Sequence, residues 1–329
     1  MKRIFCLYTG GTIGCTDSPN GLIPIGGILP ELISNLNQQH IPSTEITLHE
    51  YSQALDSSSI GPQEWHTIAE QIASRLTQYD AFIILHGTDT MAWTGAALHW
   101  QLANLPKPVI LTGAQRPWIH PGSDAPANMR LALDAACSTR AGVYLAFGGL
   151  VLPAYCIKKL DADADTAYGA PNQPVQVTSP AITPSGEVSS EKSAEQAKFA
   201  FLPLNASRKV LALKLYPGCE AAICAMLGSQ HWDGIVLESY GSGNLPNHAA
   251  LINALSQQAN HGCVIINCTQ CIAGEVRQGL YAAGDILNQM GAWPAGRRTV
   301  EAAITWLYTH LGRATSDVLR QQWQFVASL

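Results

Sequence analysis

Four short apolar runs in the first half of the chain show no alternation of apolar and polar residues: 2–8 (KRIFCLY), 81–85 (AFIIL), 108–112 (PVILT) and 142–147 (GVYLAF). A strand with one face in water would alternate. Unbroken runs fit strands buried on both faces, as in a parallel sheet covered by helices. Segments with helical spacing lie between them. Segment 62–77 opens with Pro62 at a first-turn position and places Trp65, Ile68, Ala69, Ile72 and Leu76 on one face. Segments 89–103 and 126–138 read the same way. Strand followed by helix, repeated, predicts βαβ units with right-handed crossovers and helices on both faces of a mostly parallel sheet.

The stretch from Pro184 to Lys198 (PSGEVSSEKSAEQAK) is polar, rich in serine and without a core face. Beyond it the alternation resumes, with strands expected near 209–215, 234–238 and 262–267 and helices near 219–228, 247–259, 298–311 and 315–327. The expected architecture is therefore α/β: a larger N-terminal mostly parallel-sheet domain over 1–183, a linker over 184–207, and a smaller C-terminal α/β domain over 208–329. A chain of 329 residues accommodates two domains of ordinary size.

Composition narrows the class of function. Lys and Arg number 19 against 24 Asp and Glu, a formal charge of −5, so the clustered cations of a nucleic-acid binder are not expected. Charged residues are 13% of the chain, about half the usual ~25% for globular domains. So little surface charge suggests an exterior partly covered by another copy, as in a homo-oligomer. Nine cysteines, odd in number and scattered, suit a reducing compartment better than a disulfide framework. The Cys268-x-x-Cys271 pair has no second pair at zinc-site spacing; a structural role and a redox or metal role both remain open. Lys2-Arg3 precedes only five apolar residues, short of an export signal, and the apolar stretch from Val143 to Ile157 is too short to span a bilayer. A cytoplasmic protein with no membrane span is expected.

In parallel sheets, ligands bind beyond the carboxyl ends of the strands, where loops and helix amino termini converge. After the first strand comes Thr9-Gly10-Gly11-Thr12, and after the region 45–51 comes Asp56-Ser57-Ser58-Ser59. After 81–85 comes His86-Gly87-Thr88-Asp89, after 108–112 comes Gly113-Ala114-Gln115, and beyond 142–147 come Lys158 and Lys159. Hydroxyls, an acid and a lysine on one sheet edge suit nucleophilic chemistry on a carbonyl. Any one of these residues alone could instead be a cap: Thr12 after a glycine turn, Thr88-Asp89 before a helix. No dinucleotide fingerprint, phosphate loop, nucleophile elbow or metalloprotease motif is present, and His86 reads as a strand-end structural residue. Asp161-x-Asp163-x-Asp165 lacks the glycine and distal glutamate of a calcium loop and reads as solvated. No metal site and no cofactor are expected.

TGGTIG, HGTDTM, TGAQRP and SDAPANMRLALDAA, with a lysine followed thirteen residues later by Asn172, resemble the L-asparaginase family, most of all its cytoplasmic type I branch. SYGSGN (239–244) and NCTQCIAG (267–274) extend the resemblance into the second domain. The resemblance implies Thr12 as nucleophile, Thr88 and Asp89 as the second threonine and the acid, and Lys159 as the lysine that pairs with them, with Lys158 the competing register. It implies that Asp56, Ser57 and Ser58 hold the α-carboxylate and α-amino ends of the substrate. Gly11, Thr88 and Ala114 would line the pocket with backbone groups. It further implies hydrolysis of L-asparagine to L-aspartate and ammonia, without a cofactor, by a homodimer or homotetramer.

A threonine hydroxyl needs a base to become a nucleophile, and a lysine serves as one only when neutral. Thr88 between Lys159 and the nucleophile would relay a proton, in functional analogy with a serine triad. An acyl-threonine ester and direct attack by water both fit these residues. Glutamine or another ω-amide is an alternative substrate, because one methylene is worth only ~1–3 kcal/mol of discrimination. An amino-acid-binding regulatory protein of weak activity is a further alternative. An amide-donating subunit of a tRNA amidotransferase would also need a docking surface for its partner. Two positions depart from the family pattern. Leu22 in Gly21-Leu22-Ile23-Pro24 stands where a loop tyrosine is expected, which implies slower turnover or a substitute hydroxyl. Glu238 stands where asparagine-activated members would carry a basic residue.

Overall fold

The computed structural model describes residues 1–19, 21–24, 27, 29–30, 44–172, 198–279 and 282–328. The chain divides into two compact units, Met1–Ala170 with Pro174–Pro203 and Pro171–Gln173 with Leu204–Leu329. Of the stretch 184–207 read as a linker, 184–197 lie outside the described residues.

The first unit begins with β1 (Lys2–Gly10), the hairpin β2 (Cys15–Ser18) and β3 (Gly21–Pro24), and the long β4 (Thr44–Leu55). Then follow α1 (Pro62–Ala73), β5 (Ala81–Leu85), α2 (Met91–Gln101), the short β6 (Leu102–Ala103), β7 (Pro108–Thr112) and α3 (Ala125–Ser138). The hairpin β8 (Gly142–Phe147) and β9 (Leu150–Pro153) leads to a second, two-residue hairpin, β10 (Lys158–Lys159) and β11 (Tyr168–Gly169), and Ala200–Phe201 forms β12 against β6. The main sheet has the order β4-β1-β5-β7-β8-β9, parallel up to β8 and antiparallel only at β9.

Side-chain alternation along the strands builds two cores from one sheet. Phe5, Leu7, Phe82, Ile84, Val109 and Leu111 face Ile68 and Ile72 of α1 and Leu98 of α2. Ile4, Cys6, Tyr8, Ile83, Leu85 and Ile110 face Met129, Ala132 and Leu133 of α3. Both faces are therefore dry, and the strands carry the unbroken apolar runs that this requires. The helix α2 departs from a one-faced reading. Residues on nearly all its sides are buried, because α1 packs on one flank and the turn Ala154–Cys156 on another, where a side chain at Gly95 would meet the Ala154 methyl at 3.0 Å. The apolar stretch from Val143 to Ile157 is divided at Gly148-Gly149, whose φ angles of 57° and 80° turn the chain back as a hairpin.

The second unit holds β13 (Val210–Lys214), α4 (Glu220–Ser229), β14 (Gly234–Ser239), α5 (Ala249–Asn260), β15 (Val264–Thr269), α6 (Ala282–Gln289), β16 (Trp293–Pro294), α7 (Val300–His310) and α8 (Ser316–Ser328). Its four strands run parallel in the order β13-β14-β15-β16. Leu213, Leu237 and Ile265 pack with Leu227, Leu251 and Leu255 on one face. Trp306 on α7 meets Trp293 and Trp323 edge-on, with ring centroids 6.0 and 5.2 Å apart. The helix α6 was not apparent in the sequence pattern. Among the described residues, no helix is long and apolar enough to cross a membrane.

In the first sheet the chain leaves β1 for β4 on one side and returns to β5 on the other. The crevice at this reversal lies between the carboxyl ends of β1 and β5. Gly11, with φ of 93°, sits there so close to the next strand that a Cβ on it would be 2.4 Å from the Gly87 Cα. Replacing Gly11 by alanine therefore forces backbone apart. Gly11→Ala is expected to destabilise the protein by ~2 kcal/mol or more, read as a lower denaturant midpoint in urea unfolding.

Candidate active site

The crevice is a cavity of about 440 Å³ lined by Gly11, Thr12, Cys15, Leu22, Ala54, Leu55, Asp56, Ser57, Gly87, Thr88, Asp89, Gln115, Lys159 and Ala162. Five loops reach it, and each leaves the sheet at or near a strand end. Thr12 opens a 3₁₀ turn, Thr12–Gly14, whose N-cap is Gly11 rather than Thr12 itself. The Gly11 carbonyl accepts from Gly14 N at 3.2 Å and from the Cys15 thiol at 3.4 Å, so the turn is held from within. Burial, and then the Asp56 carboxylate, raise the Cys15 pKa and keep it a thiol.

Beyond β5, the capping alternative for Thr88 and Asp89 gives way to a different arrangement. The N-cap of α2 is Thr90, whose hydroxyl donates to the Ser57 carbonyl at 2.6 Å. Thr88 and Asp89 instead face Lys159, whose Nζ donates to Thr88 Oγ1 at 3.0 Å and to Asp89 Oδ1 at 3.1 Å. Thr88 is 8% exposed, while the Asp89 side chain is 62% exposed. Asp89 thus lies at the wet mouth of the cavity, where its ion pair contributes modestly to stability. Of the two neighbouring lysines, it is Lys159 that lines the cavity.

The loop before the site owes its position to a buried histidine. His86 is fully buried, with Nδ1 2.7 Å from the Gly87 carbonyl and Nε2 2.9 Å from Thr94 Oγ1. A carbonyl can only accept, so Nδ1 carries the proton and Nε2 accepts from Thr94. Burial pulls the His86 pKa down to about 4, against the raising effect of the Gly87 carbonyl, and the ring is neutral at ordinary pH. It joins the end of β5 to α2, a structural role.

Asp56 caps the turn Ser57–Ser59 by accepting from Ser58 N at 2.9 Å. Asp56 and Ser57 line the cavity, whereas Ser58 is exposed outside its lining. Ala114 is 1% exposed and also lies outside the lining. Its neighbour Gln115 reaches the cavity instead. The Asp124 carboxylate sets this loop by accepting from Gln115 N at 2.9 Å and Arg116 N at 3.0 Å. Asn128 Nδ2 donates to the Gly113 carbonyl at 3.1 Å. These two residues of SDAPANMR thus act as a clamp on TGAQRP.

Sequence reasoning passed over Gln115 and Tyr168. Thr88 Oγ1 donates to Gln115 Oε1 at 3.3 Å, and Gln115 Nε2 donates to the carbonyls of Ala162 at 3.2 Å and Ala164 at 3.1 Å. Tyr168 pairs with Lys159 across the β10–β11 hairpin and donates its hydroxyl to the Thr88 carbonyl. Burial, and then the Asp89 charge, push the Tyr168 phenol far above its usual range, so it remains a donor. One hairpin therefore grips Thr88 by its side chain and by its backbone. The signal available for Gln115 was its place in a strand-end motif; for Tyr168 the sequence offers none.

In the second unit the remaining motifs also converge. Ser239 Oγ donates to Asn267 Oδ1 at 2.6 Å, Thr269 Oγ1 to the Gly241 carbonyl at 2.6 Å, and Gly274 N to Asn172 Oδ1 at 2.7 Å. A second cavity of about 380 Å³ there is lined by Asn172, Ser242, Gly274, Arg277 and Arg297 around Glu275. None of the nine cysteines forms a disulfide. Among the described residues no three His, Cys, Asp or Glu side chains gather as a metal ion would require.

The loop that supplies Ala162 and Ala164 is itself charge-dependent. Asp161 Oδ1 accepts from Asp163 N and Ala164 N, both at 2.8 Å, and these bonds hold its pKa below the ordinary 3.8. Arg116 lowers Asp165 in the same way through a 2.9 Å ion pair. Groups whose folded pKa is depressed stabilise the fold above their unfolded value and lose that contribution as pH falls through the folded value. Amide exchange at Ala164 is therefore expected to lose protection, once corrected for intrinsic rate, as the pH is lowered below about 4, and Asp161→Asn should weaken that dependence, leaving the contribution of the Arg116–Asp165 pair.

Residues 3–190 match the family model described as asparaginase, N-terminal, and residues 209–323 match the glutaminase/asparaginase C-terminal domain. The chain is 35% identical over 319 residues to L-asparaginase 1 of Escherichia coli, covering 93% of this chain and 91% of that protein. It is 31% identical over 348 residues to the 60 kDa lysophospholipase of Mus musculus, covering 95% of this chain and 59% of that protein. Among solved structures, L-asparaginase I from Vibrio cholerae matches with a TM-score of 0.84 at 31% identity, covering 98% of this chain and 97% of the other. With both domain models matched in order and the resemblance running through nearly the whole sequence, the chain belongs to the asparaginase family.

Proposed function

We propose that this amidohydrolase converts L-asparagine to L-aspartate and ammonia, with Thr12 as the nucleophile assisted by Thr88, Lys159 and Asp89. The observation that carries the reading is that the Lys159–Thr88–Asp89 contact lies in the wall of the cavity that Thr12 also lines. The Thr12 oxygen adds to the side-chain carbonyl carbon as its proton passes to the neutral amine of Lys159, beside Thr88, which hands it on to the leaving nitrogen. The C–N bond then breaks, the leaving nitrogen departs as ammonia, and water cleaves the resulting ester to return Thr12 and the carboxylate. Backbone N–H groups beside the strand-end glycines would receive the developing oxyanion, each such donor being worth ~3–4 kcal/mol in the transition state. Asp56 and Ser57 hold the α-amino and α-carboxylate ends, and Ser58 supports them through the Asp56 turn rather than from the cavity wall.

A broader ω-amidase that also takes glutamine draws support from the cavity volume of about 440 Å³, which leaves space for a longer side chain. A regulatory amino-acid-binding protein draws support from Leu22, which lines the cavity, is 46% exposed and offers no hydroxyl. The reading places the enzyme in the cytoplasm as a homodimer or homotetramer and invokes no cofactor.

Ammonia release from L-asparagine and L-glutamine, compared between the native chain and Thr12→Ala, tests the reaction. Release from asparagine should be abolished in the variant, and Lys159→Met and Asp89→Asn should each lose more than about a hundredfold in kcat/KM. A full rate in either would place the proton path elsewhere. Asparagine binding without ammonia release by the folded native chain would favour the regulatory reading. Leu22→Tyr should raise turnover; equal rates in two equally folded proteins would show that the cavity does not need the phenol.

A further inference from the structure

The hydrogen bonds around Thr88 specify where its single proton lies. Gln115 Nε2 is within 3.2 Å of the Ala162 carbonyl and 3.1 Å of the Ala164 carbonyl. Rotating this amide by half a turn would set its oxygen against two other oxygens, so the nitrogen must face the loop and Oε1 must face Thr88. Across that 3.3 Å contact only Thr88 has a proton to give. On its other side Thr88 Oγ1 accepts from Lys159 Nζ at 3.0 Å. One lone pair is thus taken by the lysine and the proton by the glutamine. What Thr88 has left for the cavity is a lone pair.

This order of protons distinguishes two chemical groups of nearly the same shape. An amide nitrogen carries hydrogens and can donate to a lone pair; a carboxylate oxygen has only lone pairs of its own. Lys159 Nζ can donate to an oxygen of either group, but Thr88 favours the first and opposes the second. We infer that Gln115 is a positioning residue that fixes the Thr88 hydroxyl as an acceptor toward the cavity, so that the site discriminates the ω-amide of its substrate from the carboxylate of its product. Product carboxylate would otherwise find a second donor beside the lysine and stay bound. The inference rests on the amide-hydrolysis reading above and assigns the selectivity to a residue that performs no proton transfer itself.

The experiment measures KM for L-asparagine and the competitive Ki for L-aspartate, by ammonia release at one fixed pH, in the native chain, Gln115→Met and Gln115→Glu. In Gln115→Met the acceptor is gone, the Thr88 hydroxyl turns to donate into the cavity, and the ratio of Ki to KM should fall about tenfold. Gln115→Glu loses both donors to the 162–164 carbonyls but keeps an oxygen facing Thr88. Its ratio should stay at or above the native value. A purely structural tether would make both variants behave alike, so an equal fall in both, or no fall in Gln115→Met, overturns the inference. Should Gln115→Met fail to fold, Gln115→Asn, whose amide is one methylene short of Thr88, reads the same ratio. Native protein that releases no ammonia from asparagine would overturn the reaction reading and this inference together. Release with an unchanged ratio overturns this one alone.

Discussion

Gly11 and Gly87 bring the carboxyl ends of β1 and β5 so close that a methyl group on Gly11 would press into backbone at 2.4 Å. On Gly87 it would press into the Ser57 side chain at 2.5 Å. Three chain segments, 10–12, 56–58 and 86–89, therefore meet at the point where the sheet reverses direction, with only the small Ser57 side chain against Gly87. A parallel sheet delivers loops to one edge by its topology, but does not by itself bring them within reach of one small molecule. The missing side chains do that. The conformational cost of glycine at these positions is offset by the buried strands behind them, whose side chains pack on both faces of the sheet.

Around this contact the polar groups fall into two tiers. Lys159, Asp89 and Thr88 touch one another and the cavity. Gln115 beside them in the cavity wall, and Tyr168, Asp124 and His86 behind it, hold the first set in place, each by hydrogen bonds to backbone carbonyls or amides rather than by charge alone. This explains how a lysine on a two-residue strand can be positioned as firmly as one in the middle of a sheet. Its hairpin partner Tyr168 anchors the Thr88 carbonyl, and the intervening loop is closed by Asp161 and by Gln115. Positioning side chains by packed and bonded neighbours is what lets a site of few residues keep a defined geometry.

The sheet and its helices were legible because their burial dictates their composition. Strands dry on both faces must be continuously apolar, and the runs at 81–85 and 108–112 coincide with β5 and β7. The residues at strand ends were legible for the same reason, since topology alone sends them to one edge; Thr12, Asp56, Ser57, Thr88, Asp89 and Lys159 line a single cavity there. What the sequence could not convey is which neighbour in a strand-end motif turns inward. Ala114 is buried behind the wall while Gln115 forms part of it, and Ser58 points outward while Ser57 is enclosed. These choices follow from backbone dihedrals in short turns, where no period of 2 or 3.6 exists to read. Tyr168 was illegible for a related reason: its partner carbonyl is 80 residues away, and nothing local marks the pairing.

The same arrangement bears on how the cavity measures length. The turn at 56–59, where the α-substituents of an amino acid are proposed to sit, is tied directly to the strand end that carries the proposed catalytic residues. Thr90 Oγ1 donates to the Ser57 carbonyl at 2.6 Å and Asp89 N to Ser57 Oγ at 3.4 Å, so neither segment moves without the other. On the proposed reading this tie holds the spacing between the α-substituents and the reacting carbonyl, so a side chain one methylene longer would fold within the cavity rather than widen it. Hydrophobic burial of a methylene separates substrates by only ~1–3 kcal/mol. A fixed spacing penalises the wrong length through misalignment at the carbonyl, which affects turnover more than binding. On the proposed reading, selection of length among amides draws on the tie between Ser57 and Thr90, and discrimination of amide from acid on the proton order at Thr88. Ser57 and Thr88 line one cavity.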